Sequence, residues 1–235
     1  MWASTTESPV LLVGSAHVID LAAGLRRLLE SRPLDAVAVE LDAERAATVL
    51  APPETRRPGR GGAPLMLRLW GHLQARLGQE LGGGFAGDEM RTAADIARNR
   101  QLPILLIDDP IRETLARLLR ALSLRERVSL LAGAVIGLFL PARVVERQLD
   151  RYTEAPAPFL EEVRRAYPSV ARVLLDERNE HMADRLVDAR RRGYGRVAAV
   201  VGDAHLPGLR EALERRGVPV ESVSLAELRA PPTAP

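Results

Sequence analysis

The chain alternates short, continuously apolar runs with longer segments whose apolar residues recur at helical spacing. Four apolar runs, rich in valine, leucine and alanine, predict strands that are buried on both faces of a parallel sheet. They span residues 10–13, 36–39, 104–107 and 197–201. A fifth run, 218–223, follows Gly217 and contains Pro219, which favours an edge strand. Helical patterns separate these runs and cover residues 25–32, 88–100 and 206–216. The predicted fold class is therefore α/β, with a mostly parallel central sheet flanked by helices.

The segment 111–192, between the third and fourth predicted strands, shows no strand pattern. Its helical periodicity, broken near prolines, predicts four or five helices, which we interpret as a helical insertion in a single α/β domain covering 1–235. A second helical block is predicted at 64–81. The longest apolar run, 128–140, is shorter than the roughly 20 residues that span a bilayer, so we expect a buried helix there. With no signal-peptide pattern at the start of the chain, we expect a cytoplasmic protein without a membrane span.

The composition excludes several classes of chemistry. All 33 basic residues are arginine, and the chain has neither lysine nor cysteine. Without lysine there is no Schiff base and no P-loop lysine, and without cysteine there is no thiol nucleophile, cysteine-type zinc site or disulfide. Carboxylates are interspersed among the arginines, the net charge is +2 and aromatic residues make up 3%. Because a nucleic-acid surface needs a sustained basic stripe, we expect no nucleic-acid partner.

A short motif occurs twice. Val-Gly-Ser-Ala-His at 13–17 is matched by Val-Gly-Asp-Ala-His at 201–205, and each copy is followed by Gly-Leu-Arg-x-x-Leu-Glu. Gly14 and Gly202 permit close backbone approach at the ends of their strands, and the two histidines, His17 and His205, follow in the loops where open α/β sheets bind ligands. A single copy is typical of a structural turn, whereas two copies after two buried strands favour a shared site.

Acidic residues follow the second and third strands. Glu40 and Asp108 are predicted at the same end of the sheet as His17 and His205. Two imidazoles and one carboxylate form a workable three-ligand set for a divalent metal with an open water position, and a second carboxylate could act as a base. Glu40 could instead stabilise the start of the following helix, but Asp42 could fill that role equally well.

One arginine lies on a predicted apolar helix face. In the predicted helix 169–192, Arg178 shares a stripe with Leu174 and Met182, which is costly unless the guanidinium is paired or binds an anion. One interpretation points Arg178 into the site to hold an anionic substrate group; a structural salt bridge or a surface position is the alternative. His181, at i+4 from Glu177, is interpreted as part of a surface ion pair, and His72 is given no role.

Four segments in order along the chain, including both G-x-x-H motifs, resemble the TraB family, also called the pheromone-shutdown or PrgY-like family. They lie at 13–17 with 40–45, at 87–91 with 106–108, at 176–183 and at 200–208. The TIKI metalloproteases and, more distantly, the erythromycin esterases are related to it. The resemblance implies a TraB/erythromycin esterase-like fold.

The resemblance also implies chemistry, since the TIKI relatives are metal-dependent peptidases with two G-x-x-H motifs and a glutamate. It implies that His17, His205 and Glu40 hold the metal. It also implies that Glu89, which the pattern alone indicates only as an acid at the start of a helix, is a signature residue of the family. Arg178 is implied as a further signature residue. Two departures stand out. Asp109 replaces a common arginine, whose anion-holding role is lost or is taken by Arg112, and Asn179 stands where aspartate is frequent.

The leading hypothesis is a metal-dependent hydrolase that acts on peptides or another small substrate. Mn²⁺, Co²⁺ or Zn²⁺ would be held by His17, Glu40 and His205, with Glu89 or Asp108 orienting the water or moving its proton. The alternative is a non-catalytic protein that sequesters a peptide or signal. A third hypothesis is a metal-independent esterase with His17 as general base. A homo-oligomer is compatible with the sequence.

Overall fold

The computed structural model describes residues 8–15, 22–51, 88–137, 156–224 and 227–228. The strands are β1 (Val10–Ser15), β2 (Ala36–Val39), β3 (Ile104–Leu106), β4 (Val197–Gly202) and β5 (Val220–Val223). They form one sheet in the order β3-β2-β4-β1-β5, and every neighbouring pair is parallel. The predicted α/β class and the edge position of the fifth strand are therefore confirmed.

Helices surround this sheet. They are α1 (Ala22–Glu30), α2 (Ala43–Val49), α3 (Asp88–Asn99), α4 (Ile111–Ala121), α5 (Leu124–Gly137), α6 (Pro156–Ala166), α7 (Pro168–Ala171), α8 (Glu177–Arg191) and α9 (Leu206–Glu214). A π-helical turn, Arg172–Asp176, joins α7 to α8, and a 3₁₀ turn, Asp203–His205, joins β4 to α9. All regular elements that the structure describes between β3 and β4 are helices. Their interpretation as an insertion in a single domain stays a prediction.

The core has two layers because alternate strand residues point to opposite faces of the sheet. In β1, Leu11 and Val13 pack with the apolar residues of α1 and α3, while Val10 and Leu12 pack with those of α8 and α9. All four side chains are buried. Burial on both faces explains why these strands are continuously apolar instead of alternating.

The connections leave the two central strands in opposite directions. The chain passes from β1 through α1 to β2 on one face of the sheet, and from β4 through α9 to β5 on the other face. Right-handed crossovers require this arrangement. Since β1 and β4 are neighbours, a crevice opens at their carboxyl ends, which is the usual ligand position in an open α/β sheet.

The two copies of the repeated motif lie on neighbouring strands but are out of step by one residue. Gly14 pairs with Val201, and Ser15 pairs with Gly202. A side chain at Gly14 would overlap the carboxylate of Asp203 and the side chain of Leu206, so the glycine allows the 3₁₀ turn to cross close to β1. His17 itself lies outside the described residues.

The expected burial of the longest apolar segment is wrong for the part that is seen. In α5, Val128 and Leu131 are 58% and 62% exposed, and neither belongs to the two layers of the core. The predicted helical block at 64–81, with His72, falls outside the described ranges. Within those ranges, no helix has the length and apolar character needed to cross a membrane.

Candidate functional site

Three of the predicted site residues meet at the carboxyl end of the sheet. Glu40 directly follows β2, Asp108 follows β3, and His205 ends the 3₁₀ turn after β4. All three are buried, with 4–7% of their surface exposed. The helix-start role is taken by Asp42, whose Oδ1 accepts the N–H groups of Glu44 and Arg45 at the start of α2.

The carboxylate of Glu40 is held from two sides. Its Oε2 accepts the Gly202 N–H at 2.6 Å, and its Oε1 contacts an Nη2–H of Arg178 and lies 3.4 Å from His205 Nε2. A Cβ at Gly202 would lie only 3.3 Å from Oε2, which is tighter than nearly all such contacts. The glycine of the second motif copy therefore gives Glu40 room against the end of β4.

Arg178 is the central cation of the site. Its Nε donates to Asp108 Oδ1 at 2.9 Å, and its Nη2 donates to Asp108 Oδ2 at 2.8 Å and to Glu40 Oε1. Its Nη1 donates to the Leu174 carbonyl and to His205 Nε2, each at 3.1 Å. A guanidinium has five N–H groups, and these contacts use all five. The side chain is only 14% exposed.

The orientation of the His205 ring is fixed by Asn179. The ring Nδ1 lies 2.7 Å from Asn179 Oδ1, and both groups are buried. Asn179 was not predicted as a site residue, because its contact depends on how α8 packs against the turn after β4. The available signals were its neighbour Arg178 and its place in the TraB-like segment 176–183, where aspartate is frequent at this position.

Asp108 accepts four N–H groups. Two come from Arg178, one comes from the Asp109 backbone at 2.9 Å, and one comes from Arg45 Nη1 at 2.9 Å. Glu40, Asp108, Arg178 and Arg45 together contribute two negative and two positive charges. The charges of this group are therefore balanced.

These contacts determine the pKa values of Glu40 and Arg178. Burial alone would raise the pKa of Glu40, but His205, Arg178 and the Gly202 N–H outweigh it and hold the pKa well below its usual value. Burial likewise opposes the charge of Arg178, but Glu40 and Asp108 raise the pKa of the guanidinium above its usual value. Arg178 and the Gly202 N–H lower the pKa of Glu40 whether or not the His205 ring carries a charge.

The ordered motifs, the parallel sheet and this buried cluster agree with the match to known proteins. The model of the family described as TraB/PrgY/gumN matches residues 1–222. The chain belongs to this family. It is also 27% identical over 217 residues to an uncharacterized protein of Methanocaldococcus jannaschii, a match that covers 89% of this chain and 54% of that protein. The chain thus spans about half the length of this curated relative.

The residues that the TraB resemblance implied as metal ligands are only partly described. Among the residues seen, no group of three His, Asp or Glu side chains lies close enough together to hold a metal ion. Glu40 and His205 lie together with the Arg178 guanidinium against both, and His17 falls outside the described residues. β1, which leads toward His17, lies directly beside β4.

Glu89, the other TraB signature acid, lies in the first turn of α3 and is 4% exposed. Because α3 runs back toward the start of β3, its first turn lies at the carboxyl end of the sheet, on the face opposite α8. The topology thus brings Glu89 to the end of the sheet where the other predicted site residues lie. Its role stays a prediction.

Two interpretations of surface charges are corrected. Arg112 does not replace the arginine expected at 109, because it is 77% exposed and pairs with Glu44. His181 pairs with Asp109 at 3.1 Å and not with Glu177. Besides Arg178, a second arginine binds Asp108 at the site. It is Arg45, which sequence reasoning had left without a role.

Proposed function

We propose that this TraB-family chain is a hydrolase that holds a divalent metal ion with Glu40, His205 and His17. The observation that supports the proposal best is the 3.4 Å separation of Glu40 Oε1 and His205 Nε2. The opposite atoms of these groups, Oε2 and Nδ1, are held by Gly202 and Asn179. A ligating histidine characteristically has its second ring nitrogen held in this way.

A bound ion would supply a water of lowered pKa and polarise a substrate carbonyl. The protein would hold the Glu40 carboxylate and the His205 ring in fixed orientations and keep the site buried. Because the charges of the described group are already balanced, a dication would add two positive charges, and Arg178 would have to change partners. A peptide substrate is proposed by analogy with the TIKI relatives.

Of the two acids proposed for proton transfer, Glu89 suits the role better. Asp108 accepts four N–H groups, two of them from Arg178, so its oxygens are engaged in holding the guanidinium. We propose that Asp108 positions Arg178 and that Glu89 orients the attacking water or moves its proton.

The metal itself is the probe that tests this proposal. Chelated protein would be titrated with Mn²⁺, Co²⁺ and Zn²⁺ by isothermal calorimetry. We expect one ion per chain for at least one of the metals, and at least tenfold weaker binding for Glu40→Gln, His205→Ala and His17→Ala. His181→Ala, which removes an imidazole outside the cluster, should bind as the wild type does. No binding of any of the three metals, or equal binding by all variants, would contradict the proposal.

The charge balance also favours a second candidate, a non-catalytic protein that binds a peptide without a metal. Incubation with a defined mixture of synthetic peptides, followed by mass spectrometry, separates the two. A hydrolase gives cleavage products that increase with time and are lost in Glu40→Gln. A sequestering protein gives stoichiometric capture of uncleaved peptide that Glu40→Gln leaves unchanged. Hydrolysis of p-nitrophenyl acetate that survives chelation would instead indicate the metal-independent esterase with His17 as base.

A further inference from the structure

Two contacts lead from α9 to the site. Gly208, in the first turn of α9, lies against the side-chain amide of Asn179 on α8, and Asn179 contacts His205. We infer that Asn179, seated against Gly208, is a positioning residue that fixes His205 in its Nδ1–H tautomer and so directs the Nε2 lone pair into the site.

The tautomer follows from the chemistry of the partners. A guanidinium can only donate hydrogen bonds, so His205 Nε2, 3.1 Å from Arg178 Nη1, must accept. The proton of the neutral ring is then on Nδ1. It is donated to Asn179 at 2.7 Å, which requires the amide oxygen of Asn179 to face the ring.

Gly208 explains how the amide is held in place. A Cβ at this position would overlap the Asn179 Nδ2 and would approach its Cγ to 3.2 Å. Glycine is unfavourable inside a helix, and its presence in the first turn of α9 is explained by the space that the amide needs. A methyl group there would push Asn179 away from His205, although Gly208 itself does not touch the ring.

Only one part of the inference rests on the proposed function, namely that Nε2 of His205 is a metal ligand. A lone pair held toward Glu40 Oε1 is what an ion bound between the two groups would require. The tautomer itself is a property of the metal-free protein. It can therefore be measured without metal, substrate or turnover.

The experiment is a long-range proton–nitrogen correlation spectrum of the metal-free chain labelled with nitrogen-15 in histidine. The chain has four histidines, and His205 is identified by the signal lost in His205→Gln. In the wild type at neutral pH we expect Nδ1 to show the shift of a protonated ring nitrogen and Nε2 that of a bare one. The reverse pattern in the wild type would overturn the inference.

Variants then separate positioning from general structure. Asn179→Leu removes the acceptor at similar size and Gly208→Ala displaces it, so both should lose the Nδ1–H pattern. Asn179→Asp keeps an acceptor and should retain it, and Asn99→Leu, an exposed asparagine at the end of α3, is the matched control. An unchanged His205 pattern in folded Asn179→Leu would overturn the inference.

Metal titration of the same variants distinguishes the two proposals. If the ion binds, Asn179→Leu should weaken its affinity about 10- to 100-fold while Asn179→Asp stays within a few-fold of the wild type. If no ion binds but the wild-type tautomer pattern is found and is lost in Asn179→Leu, the proposed metal function fails and the positioning role of Asn179 stands. If the ion binds but the tautomer is reversed, the positioning role fails and the metal proposal stands.

Discussion

Arg178 shows how much one residue on an apolar helix face can reveal. A charged guanidinium on that face is unfavourable without a partner. In the structure, Arg178 contacts Glu40, Asp108 and His205 together. The predicted role as an anchor for a substrate anion stays a prediction. Since all five N–H groups are directed at protein atoms, a substrate anion would have to replace one of these partners.

Replacing Arg178 by methionine should strongly destabilise the fold. The change leaves Glu40 and Asp108 buried without their main counter-charge, which typically costs about 3–5 kcal/mol. Urea unfolding at neutral pH measures the loss. Arg112→Met, which breaks an exposed pair with Glu44, is the control and should lower the stability far less. A similar small loss for both variants would show that the buried cluster does not depend on Arg178.

The residues of the cluster differ in how predictable they were. Glu40, Asp108 and His205 each follow the end of an apolar run, so strand prediction alone placed them at one end of the sheet. Arg45 and Asn179 carry no such signal. Their contacts depend on side-chain conformations and on the packing of α2 and α8, which no local pattern in the sequence encodes.

At the scale of elements, the sequence predicts a continuous helix over 169–192, whereas the structure has a π-helical turn in its first half. The Glu177 N–H bonds the Arg172 carbonyl, five residues back, and the Leu174 carbonyl accepts the Arg178 side chain. The turn contains neither proline nor glycine, so no helix-breaking residue announces it. π-helical turns occur frequently at functional sites, and this one ends two residues before Arg178.

The junction between α4, α5 and α7 should be sensitive to acid. Glu126 accepts the N–H and Oγ–H of Ser123 and the N–H of Ser169, and these bonds outweigh burial and lower its pKa to about 2 from an ordinary value of 4.5. A depressed carboxyl pKa stabilises the fold fully above the unfolded value, and this contribution is lost as the pH falls through the folded value.

Glu126→Gln should therefore lower the urea midpoint near neutral pH, and the gap to the wild type should narrow as the pH falls from about 5 toward 2. Parallel unfolding curves across this range would measure it. A gap that is constant with pH would show that the carboxylate charge does not stabilise the junction.

At the scale of the whole molecule, continuous apolar runs were enough to predict the parallel sheet. Strands buried on both faces have to be apolar throughout, and right-handed crossovers then restrict how they connect. The strand order could not be predicted, since the apolar runs do not specify their neighbours.

The strand order predicts a gradient of local stability. β2, β4 and β1 are each bonded on both sides, whereas β3 and β5 are at the edges of the described sheet. Native-state hydrogen exchange followed by mass spectrometry should find the slowest amides in the three inner strands and faster exchange in β5. Protection of β5 equal to that of β4 would contradict this topology.

The one-residue offset between β1 and β4 has a geometric consequence. Equivalent residues of the two motif copies point to opposite faces, as Val13 and Val201 do, so β1–α1–β2 and β4–α9–β5 are related by an approximate two-fold axis parallel to the strands. The residue after β2 is Glu40, and the strand register makes Val223, the last residue of β5, its counterpart. The two β–α–β units are thus nearly symmetric about the crevice. The carboxylate next to His205, that of Glu40, comes from the β1–α1–β2 unit alone. The difference at this single position between the two β–α–β units makes the buried cluster asymmetric.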